Sequence, residues 1–257
     1  MWYCRIDCNI TICFGINQME KVLSIFENVD ISLSALLNVL HIDETSDEEY
    51  VNEIVRMREE AIKAARPKAL YGFANLEACS QDEVNLNGVC FCSSLLKENL
   101  EKSKTIIPYI VTCGIEAEQW SMAYQNDPLA QFWADEIKLQ LLSIAIKKLR
   151  QEVSKYFPHG RFSSMSPGSI SAWPLTQQRP LFKLLGNVGE KIGVELTQSC
   201  LMLPSKSSSG IFFISENDFN NCRYCPKLEC PNRSAPFEKE LESAQEYKSI
   251  FAEKPIL

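Results

Sequence analysis

Three closely spaced cysteines form the pattern with the clearest chemical meaning in this 257-residue chain. In Cys222-x2-Cys225-x4-Cys230, the first pair can bring two thiolates to one metal ion or cluster across a tight turn, and Cys230 can supply a third ligand. Structural zinc sites and most 4Fe–4S clusters take four protein ligands. We predict Cys200 as the fourth, because no histidine lies near the motif. The motif leaves three alternatives open: a 4Fe–4S cluster, a zinc ion, or a cysteine-rich turn that binds no metal.

A second group of residues, between positions 161 and 210, is suited to binding an organic ligand. An arginine can bind a carboxylate through two parallel hydrogen bonds, a Pro-Gly turn can shape a groove, and serine hydroxyls can line it. The predicted ligand-binding residues are Arg161, Pro167, Gly168, Ser169, Ser207 and Ser209. Two alternatives stay open: Arg161 could be an ordinary surface charge, and residues 207–210 could be a plain hairpin turn between two strands.

Charge and composition exclude several classes of function. The net charge is −7 and the basic residues are scattered, so we expect no nucleic-acid partner, which would need a concentrated basic face. No apolar run approaches the ~20 residues that span a bilayer, so we expect no membrane partner. The eleven cysteines are an odd number without an evident export signal. This favours free, mostly buried thiols in a reducing cytoplasm. With two histidines in the chain, we assign no catalytic residue.

Local signals predict three helices that would position these residues. A capping box beginning at Ser46 starts a helix that stops before Pro67. The range 127–156 begins with an Asp-Pro pair and continues with apolar residues at helical spacing, which predicts the longest element. A capping signature at Asn17 predicts a further helix over residues 17–28.

Other segments predict strands. Residues 69–92 read as strands and turns, with a hairpin at Asn87-Gly88. Residues 106–113 predict a strand, and Pro108 within it favours a position next to a sheet edge because proline has no N–H to donate.

These elements predict an α+β fold with a twisted, mostly antiparallel sheet and the 127–156 helix packed on it. We divide the chain into a helical N-terminal portion, residues 1–100, and a region of residues 101–257 that carries the candidate sites.

The order of features between residues 105 and 215 resembles the activation domain of cobalamin-dependent methionine synthase, and more closely its free-standing relatives. The matching pieces are residues 107–114, the long helix from Asp127, Arg161, Pro167-Gly168, Trp173-Pro174, and residues 192–199 and 206–213. Two positions differ from the family pattern: Ser169 stands where the family has a tyrosine, and Ser143 where it has a glutamate. Asp135 and Glu136 are possible substitutes for that glutamate.

The resemblance implies a role in corrinoid chemistry. The family's domain binds S-adenosylmethionine in a shallow groove, where Arg161 would hold the methionine carboxylate, and presents it to cobalamin held by another domain. An electron donor reduces oxidised cob(II)alamin, and the sulfonium methyl group then traps the reduced cobalt. The implied cofactors are therefore S-adenosylmethionine and the partner's cobalamin. The implied partners are a corrinoid protein or cobalamin-dependent methyltransferase and an electron-donor protein.

The three-cysteine motif is not part of the family's pattern and suggests two further hypotheses. A 4Fe–4S cluster beside a corrinoid could supply the electron that reactivation requires. The protein could instead be an iron–sulfur electron-transfer protein that acts on a corrinoid partner, or a non-catalytic module with a structural zinc.

Overall fold

The computed structural model describes residues 19–79, 82–215, 219–229 and 233–239. Its strands are β1 (Lys21–Ile25), β2 (Lys68–Gly72), β3 (Leu76–Cys79), β4 (Glu83–Leu86), β5 (Val89–Cys92), β6 (Ile106–Thr112), β7 (Ser163–Met165), β8 (Glu195–Leu196), β9 (Met202–Leu203) and β10 (Ser207–Phe213). Its α-helices are α1 (Leu33–Leu40), α2 (Glu48–Ala64), α3 (Ser94–Leu100), α4 (Ile115–Ser121), α5 (Pro128–Ser154), α6 (Gln178–Leu185), α7 (Val188–Ile192) and α8 (Asn221–Tyr224). Within these ranges, no helix is both long and apolar enough to cross a lipid bilayer.

Five strands form the central sheet in the order β1-β2-β6-β10-β7, and each neighbouring pair is antiparallel. Strands from both sides of residue 100 enter this sheet, so the N-terminal portion contributes strands as well as helices. The α+β fold class predicted from the sequence is confirmed. The division of the chain at residue 100 stays a prediction.

Strand β6 lies in the middle of the sheet, and every residue from Ile106 to Thr112 is buried. The prediction that it lies next to an edge is therefore wrong. Pro108 is tolerated because the pairing with β2 covers Tyr109 to Thr112 and ends before the proline. The missing N–H of Pro108 thus removes no hydrogen bond from that ladder.

One face of the sheet is covered by α5, which packs together with α1, α2 and α4. The Asp127 carboxylate caps α5 by accepting hydrogen bonds from the backbone N–H groups of Leu129 (2.9 Å) and Ala130 (3.1 Å). Pro128 occupies the first turn, as the sequence predicts. The buried side chains of α5 recur at helical spacing: Ala130, Trp133, Ala134, Ile137, Lys138, Leu141, Leu142, Ala145, Leu149 and Val153.

The opposite face of the sheet is covered by α6, α7 and a second antiparallel sheet, β3-β4-β5, which packs with α3. Phe91 of β5 and Trp173 meet in this core, with ring centroids 6.4 Å apart. Asn87 and Gly88 link β4 to β5 with positive φ angles of 49° and 78°. Two consecutive positive φ angles are typical of a type I′ turn, and the predicted hairpin is confirmed.

Strand β1 occupies part of the range predicted as a helix. Lys21–Ile25 pairs residue by residue with Lys68–Gly72. Val22 and Ile25 are β-branched and suit this pairing. The long-range partner strand overrides the local capping signal, so the helix prediction is wrong for these residues. Asn17, where that helix was predicted to begin, lies outside the described residues.

Candidate functional site

The candidate ligand site is the outer edge of β7. This strand pairs with β10 on one side and with no described strand on the other. An edge strand offers backbone N–H and C=O groups that are not used by the sheet. Arg161 precedes β7 and the Pro167-Gly168 turn follows it, so the structure places two of the predicted ligand-binding elements at the two ends of one short strand.

Arg161 lies on the surface at the start of this edge. Its side chain is exposed, and it forms no ion pair with a described residue. Its backbone N–H donates to the carbonyl of Pro158 at 3.1 Å, which closes a short 3-10 turn between α5 and β7. The guanidinium is therefore available to a carboxylate from outside the chain.

The turn at the other end of β7 has the geometry that its sequence predicts. Ser169 donates its backbone N–H to the carbonyl of Ser166 at 3.3 Å, and Gly168 has φ +80°. Proline at the second position and a positive φ at the third are typical of a type II turn. A Cβ at Gly168 would lie 2.8 Å from Leu175 Cδ1, so a larger residue would have to displace Leu175 as well as adopt a positive φ.

Trp173 closes the loop that follows this turn. Its carbonyl accepts a 2.7 Å hydrogen bond from Gly168 N–H, and its own N–H donates to Ile170. The indole is fully buried, and its Nε1–H has no hydrogen-bond partner among the described residues. Trp173 thus packs the loop against the core and does not face the β7 edge as a stacking surface.

Ser207 and Ser209 lie in a strand and not in a turn, which corrects the sequence prediction. They belong to β10, and the turn before it is made by residues 204–206. The Ser207 hydroxyl is 2.8 Å from the carbonyl of Pro204 and 2.9 Å from Thr112 Oγ1, and Ser209 is buried. Continuous pairing of Ser207–Phe213 with β6 explains the difference, because the sheet supplies partners that a serine-rich segment lacks locally.

The structure does not bring these two serines to Arg161. Phe213 pairs with Ser163 at the Arg161 end of β7, whereas Ser207 begins β10 at its other end. At a rise of ~3.3 Å per residue, about 20 Å of strand separates the two positions.

An arginine–aromatic layer beside β7 was missed in the sequence. The Arg150 guanidinium of α5 lies 4.6 Å from the ring centroid of Phe162 and 5.5 Å from that of Phe212. Tyr109 stacks on the other side, with its ring centroid 4.1 Å from that of Phe212. Burial raises the pKa of Tyr109, although the hydroxyl of Ser166 and the charge of Arg150 oppose the shift. Helix periodicity places Arg150 on α5, but no local signal links it to the ring of Phe162, just before β7, or to that of Phe212 in β10.

Ser143, at the family's glutamate position, and Asp135, one of the two possible substitutes, both have partners within this chain. The Ser143 hydroxyl donates to the carbonyl of Leu139 in its own helix at 3.0 Å. Asp135 pairs with Lys206 at 2.6 Å and with buried Lys138 at 3.6 Å. One carboxylate that the sequence analysis did not single out, Glu152 of α5, also faces the sheet.

Glu152 lies over strands β1 and β2, near the edge of the sheet that is farthest from β7. Its carboxylate accepts hydrogen bonds from Tyr71 (2.9 Å) and Ser24 (2.8 Å) on strands β2 and β1. Burial, together with this carboxylate, raises the pKa of Tyr71. Glu152 therefore ties α5 to the sheet and is too far along the strand order to serve the β7 edge.

The cysteine pair lies in a hydrogen-bonded loop around α8. Cys222 Sγ is 3.5 Å from both the backbone nitrogen and the hydroxyl of Ser234. Arg233 donates to the carbonyls of Cys222 (2.7 Å) and Cys225 (2.8 Å) and so fixes the turn between them. Burial acts to raise the pKa of Cys222, but the Ser234 hydrogen bonds and the Arg233 charge outweigh it and lower the pKa.

The rest of the predicted metal set is not assembled in the described residues. Cys230 lies outside them. Cys200 is buried in the turn between β8 and β9, and its sulfur does not form a group within 4.8 Å with those of Cys222 and Cys225. Cys113 and Cys200 are buried as expected for free thiols, whereas Cys90 and Cys92 are exposed.

Taken together, these features define an α+β protein with a five-stranded antiparallel sheet and an edge strand, β7, that the exposed Arg161 precedes. No family model matches the chain, and no curated protein matches it. Among solved structures, the chain is similar to the crystal structure of the MetH reactivation domain bound to AdoHcy, with a TM-score of 0.53 and 14% sequence identity. The match covers 91% of this chain and 87% of that chain. At this identity the likeness shows a shared fold, and it confirms at fold level the resemblance seen in the sequence.

Proposed function

We propose that this protein binds a ligand of the S-adenosylmethionine type along the β7 edge and uses it to service a corrinoid protein. The observation that carries the proposal is the fold shared with a reactivation domain that binds AdoHcy. The exposed Arg161 and the Pro167-Gly168 turn at the two ends of β7 support the same position for the ligand.

The chain's own residues would act by positioning. Arg161 would hold the amino-acid carboxylate through charge-assisted hydrogen bonds, and the unpaired backbone groups of β7 would bind the polar edge of adenine. The Pro167-Gly168 turn fixes the direction in which the chain leaves β7. No described side chain needs to act as an acid or base, since the reaction requires orientation above all.

When bound, S-adenosylmethionine would supply the methyl group for a reductive methylation of a partner's cobalamin, with the electron coming from a donor protein. Arg161 and the β7 edge would hold the methyl donor in place. We propose a corrinoid protein or cobalamin-dependent methyltransferase as the partner that carries the cobalamin.

Amide hydrogen exchange tests the position of the ligand. Saturating S-adenosylhomocysteine should slow exchange at residues 161–169. The strand β1, which forms the other edge of the same sheet, is the internal control and should exchange at the same rate with and without ligand. Protection at β1 or elsewhere, with none at residues 161–169, would contradict the proposed site.

A second candidate function is electron transfer through a metal centre at the cysteine loop. Two observations support this candidate. Cys222 Sγ accepts hydrogen bonds from Ser234, and Arg233 places a positive charge nearby by donating to the Cys222 carbonyl. Both contacts favour a negatively charged sulfur, the form that binds metals. We propose that Cys222, Cys225 and Cys230 supply ligands to a 4Fe–4S cluster or a zinc ion, with Cys200 as a fourth ligand if the loop rearranges.

Metal analysis of anaerobically purified protein separates these alternatives. Iron with acid-labile sulfide, lost in the Cys222→Ser/Cys225→Ser variant, would support a redox cluster. Zinc without a visible chromophore, of which the same variant loses one equivalent, would support a structural module. Metal content that is equal in the wild type and this variant would contradict both.

A further inference from the structure

The exposed face of the β4–β5 hairpin carries two thiols and a carboxylate in one cluster. The donor atoms of Glu83, Cys90 and Cys92 all lie within 4.8 Å of one another, and all three residues are exposed. We propose that this cluster is a binding site for a thiophilic divalent cation of the zinc class. It is separate from the cysteine loop and does not depend on the function proposed for β7.

The strand register brings the three side chains together. Cys90 and Cys92 are two residues apart in β5 and therefore point to the same face of the sheet. Glu83 pairs directly with Cys92 across the antiparallel ladder, and the Asn87-Gly88 turn fixes this register. A cross-strand pair has neighbouring Cβ atoms about 4.5–5.5 Å apart, so the carboxylate reaches the thiols without strain.

The hairpin is a firm base for a metal site. On its other face Val84, Leu86 and Phe91 are fully buried in the second core. The backbone N–H of Cys92 donates to Gln177 Oε1 at 2.9 Å, which ties β5 to the loop after Trp173. Ligands carried by packed strands keep their positions better than ligands on free loops.

The donor set selects the class of metal. Two thiolates and one carboxylate suit zinc or a similar soft cation, whereas magnesium and calcium prefer oxygen ligands alone. With Zn–S bonds of ~2.3 Å, a tetrahedral site places its sulfurs about 3.7 Å apart. Donor atoms within 4.8 Å can reach this spacing through small rotations of exposed side chains. Three protein ligands leave a fourth position for water.

A neighbouring polar atom fits that water. Asn85 pairs with Cys90 across the ladder and so lies on the same face of the hairpin. Its Oδ1 is buried and has no hydrogen-bond partner among the described residues. A buried acceptor without a partner is costly, and a metal-bound water could donate a hydrogen bond to it.

Zinc titration against a chromophoric chelator tests the site in the full-length, reduced, metal-free protein. We expect the Cys90→Ser/Cys92→Ser variant to bind one equivalent less than the wild type. Glu83→Gln should keep the equivalent but lose about tenfold or more in affinity, since one anionic ligand becomes neutral. The Cys222→Ser/Cys225→Ser variant is the matched control, and it should keep the equivalent that depends on Cys90 and Cys92.

Two results would overturn the proposal. One is an unchanged zinc stoichiometry and affinity in the Cys90→Ser/Cys92→Ser variant. The other is a Cys90–Cys92 disulfide that persists in reductant. Mass spectrometry would show it as a wild-type mass two hydrogens below that of the reduced chain, with the loss mapped to these two cysteines. Both thiols are exposed, so we expect their replacement to leave the stability of the metal-free protein unchanged. Equal thermal unfolding temperatures of the metal-free wild type and variant would show that the variant loses zinc because it lacks the ligands and not because it unfolds.

Discussion

Single residues at the two ends of β7 determine whether this edge can hold a ligand. Gly168 combines a positive φ of 80° with a would-be Cβ 2.8 Å from Leu175 Cδ1. Gly88, in the hairpin turn, has a similar φ of 78° but open space around its would-be Cβ. The two glycines therefore separate backbone strain from steric contact.

We predict that Gly168→Ala destabilises the protein more than Gly88→Ala. Both variants should lose about 1–2 kcal/mol from the left-handed conformation. Gly168→Ala should lose at least ~1 kcal/mol more, because the new methyl group overlaps Leu175. Urea denaturation measures the free energies of unfolding. Equal losses in the two variants would show that the loop around Leu175 yields at no cost.

The residues near β7 also predict a ligand preference. The sulfonium of S-adenosylmethionine gains from a carboxylate or an open aromatic face. Here Ser143 bonds to its own helix, and the faces of Phe162 and Phe212 are occupied by Arg150. We therefore expect neutral S-adenosylhomocysteine to bind at least as tightly as S-adenosylmethionine.

Competition between the two ligands measures this preference. Arg150→Gln removes the local positive charge and should shift the affinity ratio towards S-adenosylmethionine by several fold. A strong preference of the wild type for S-adenosylmethionine would contradict the assignment of Arg150 to the ligand's surroundings.

At the scale of elements, the pairing of β7 with β10 depends on a close backbone approach. A Cβ at Gly210 would lie 2.5 Å from the carbonyl oxygen of Met165, a backbone atom that cannot rotate away. Gly189, in α7, has no atom within 3.4 Å of its would-be Cβ. These two glycines provide a test and a matched control.

We predict that Gly210→Ala costs ~2–4 kcal/mol of stability and separates β7 from β10. Gly189→Ala should be neutral or stabilise by up to ~1 kcal/mol, since alanine suits a helix better than glycine. Denaturation gives both values, and hydrogen exchange reports whether β7 is released. If Gly210→Ala unfolds like the wild type and β7 stays protected, the close approach is not needed.

The elements that could be predicted from the sequence are those that carry their own signals. Helix α5 has a cap at Asp127 and a buried stripe over seven turns, so its start and face are visible locally. Strands β1 and β10 depend on partners far away in the chain. The capping signature at Asn17 therefore predicts a helix where the structure has β1, and the serine-rich stretch predicts a turn where it has β10. In both cases pairing within the sheet overrides the local signal.

At the scale of the whole molecule, the parts of the sites that could be predicted from the sequence are those whose residues lie close together in the chain. Arg161 and the Pro167-Gly168 turn are close in sequence, and turn chemistry reveals them. The Arg150 layer joins α5 to two strands, and Glu83 meets Cys90 and Cys92 only through register. Such clusters arise from folding, and single-sequence patterns do not show them.

The buried thiol of Cys113 predicts a loss of stability at alkaline pH. Burial raises its pKa from 9.0 to about 12, although the charge of Lys138 opposes the shift. The folded state thus keeps a proton that the unfolded chain releases. Stability is full below pH 9.0 and falls towards about pH 12, by at most ~1.4 kcal/mol per pH unit.

Denaturation between about pH 8 and pH 11 tests this, with Cys113→Ala as the comparison. The variant should be less stable at neutral pH, because it leaves a small cavity, but its free energy of unfolding should fall less steeply above pH 9.0. Tyr71, whose pKa is also raised by burial, remains in both proteins and contributes equally to both slopes. Identical slopes would contradict the assignment to Cys113.

Calorimetric binding of S-adenosylhomocysteine and S-adenosylmethionine to anaerobically purified protein tests the central claim most directly. We expect saturable one-to-one binding that Arg161→Ala weakens about 10- to 100-fold, the value of a lost charge-assisted hydrogen bond. Arg56→Ala is the matched control, because this exposed arginine of α2 pairs with Glu53 and Glu60, and it should bind like the wild type. No heat of binding at millimolar ligand, or equal affinity in the wild type and Arg161→Ala, would contradict the proposed site on β7.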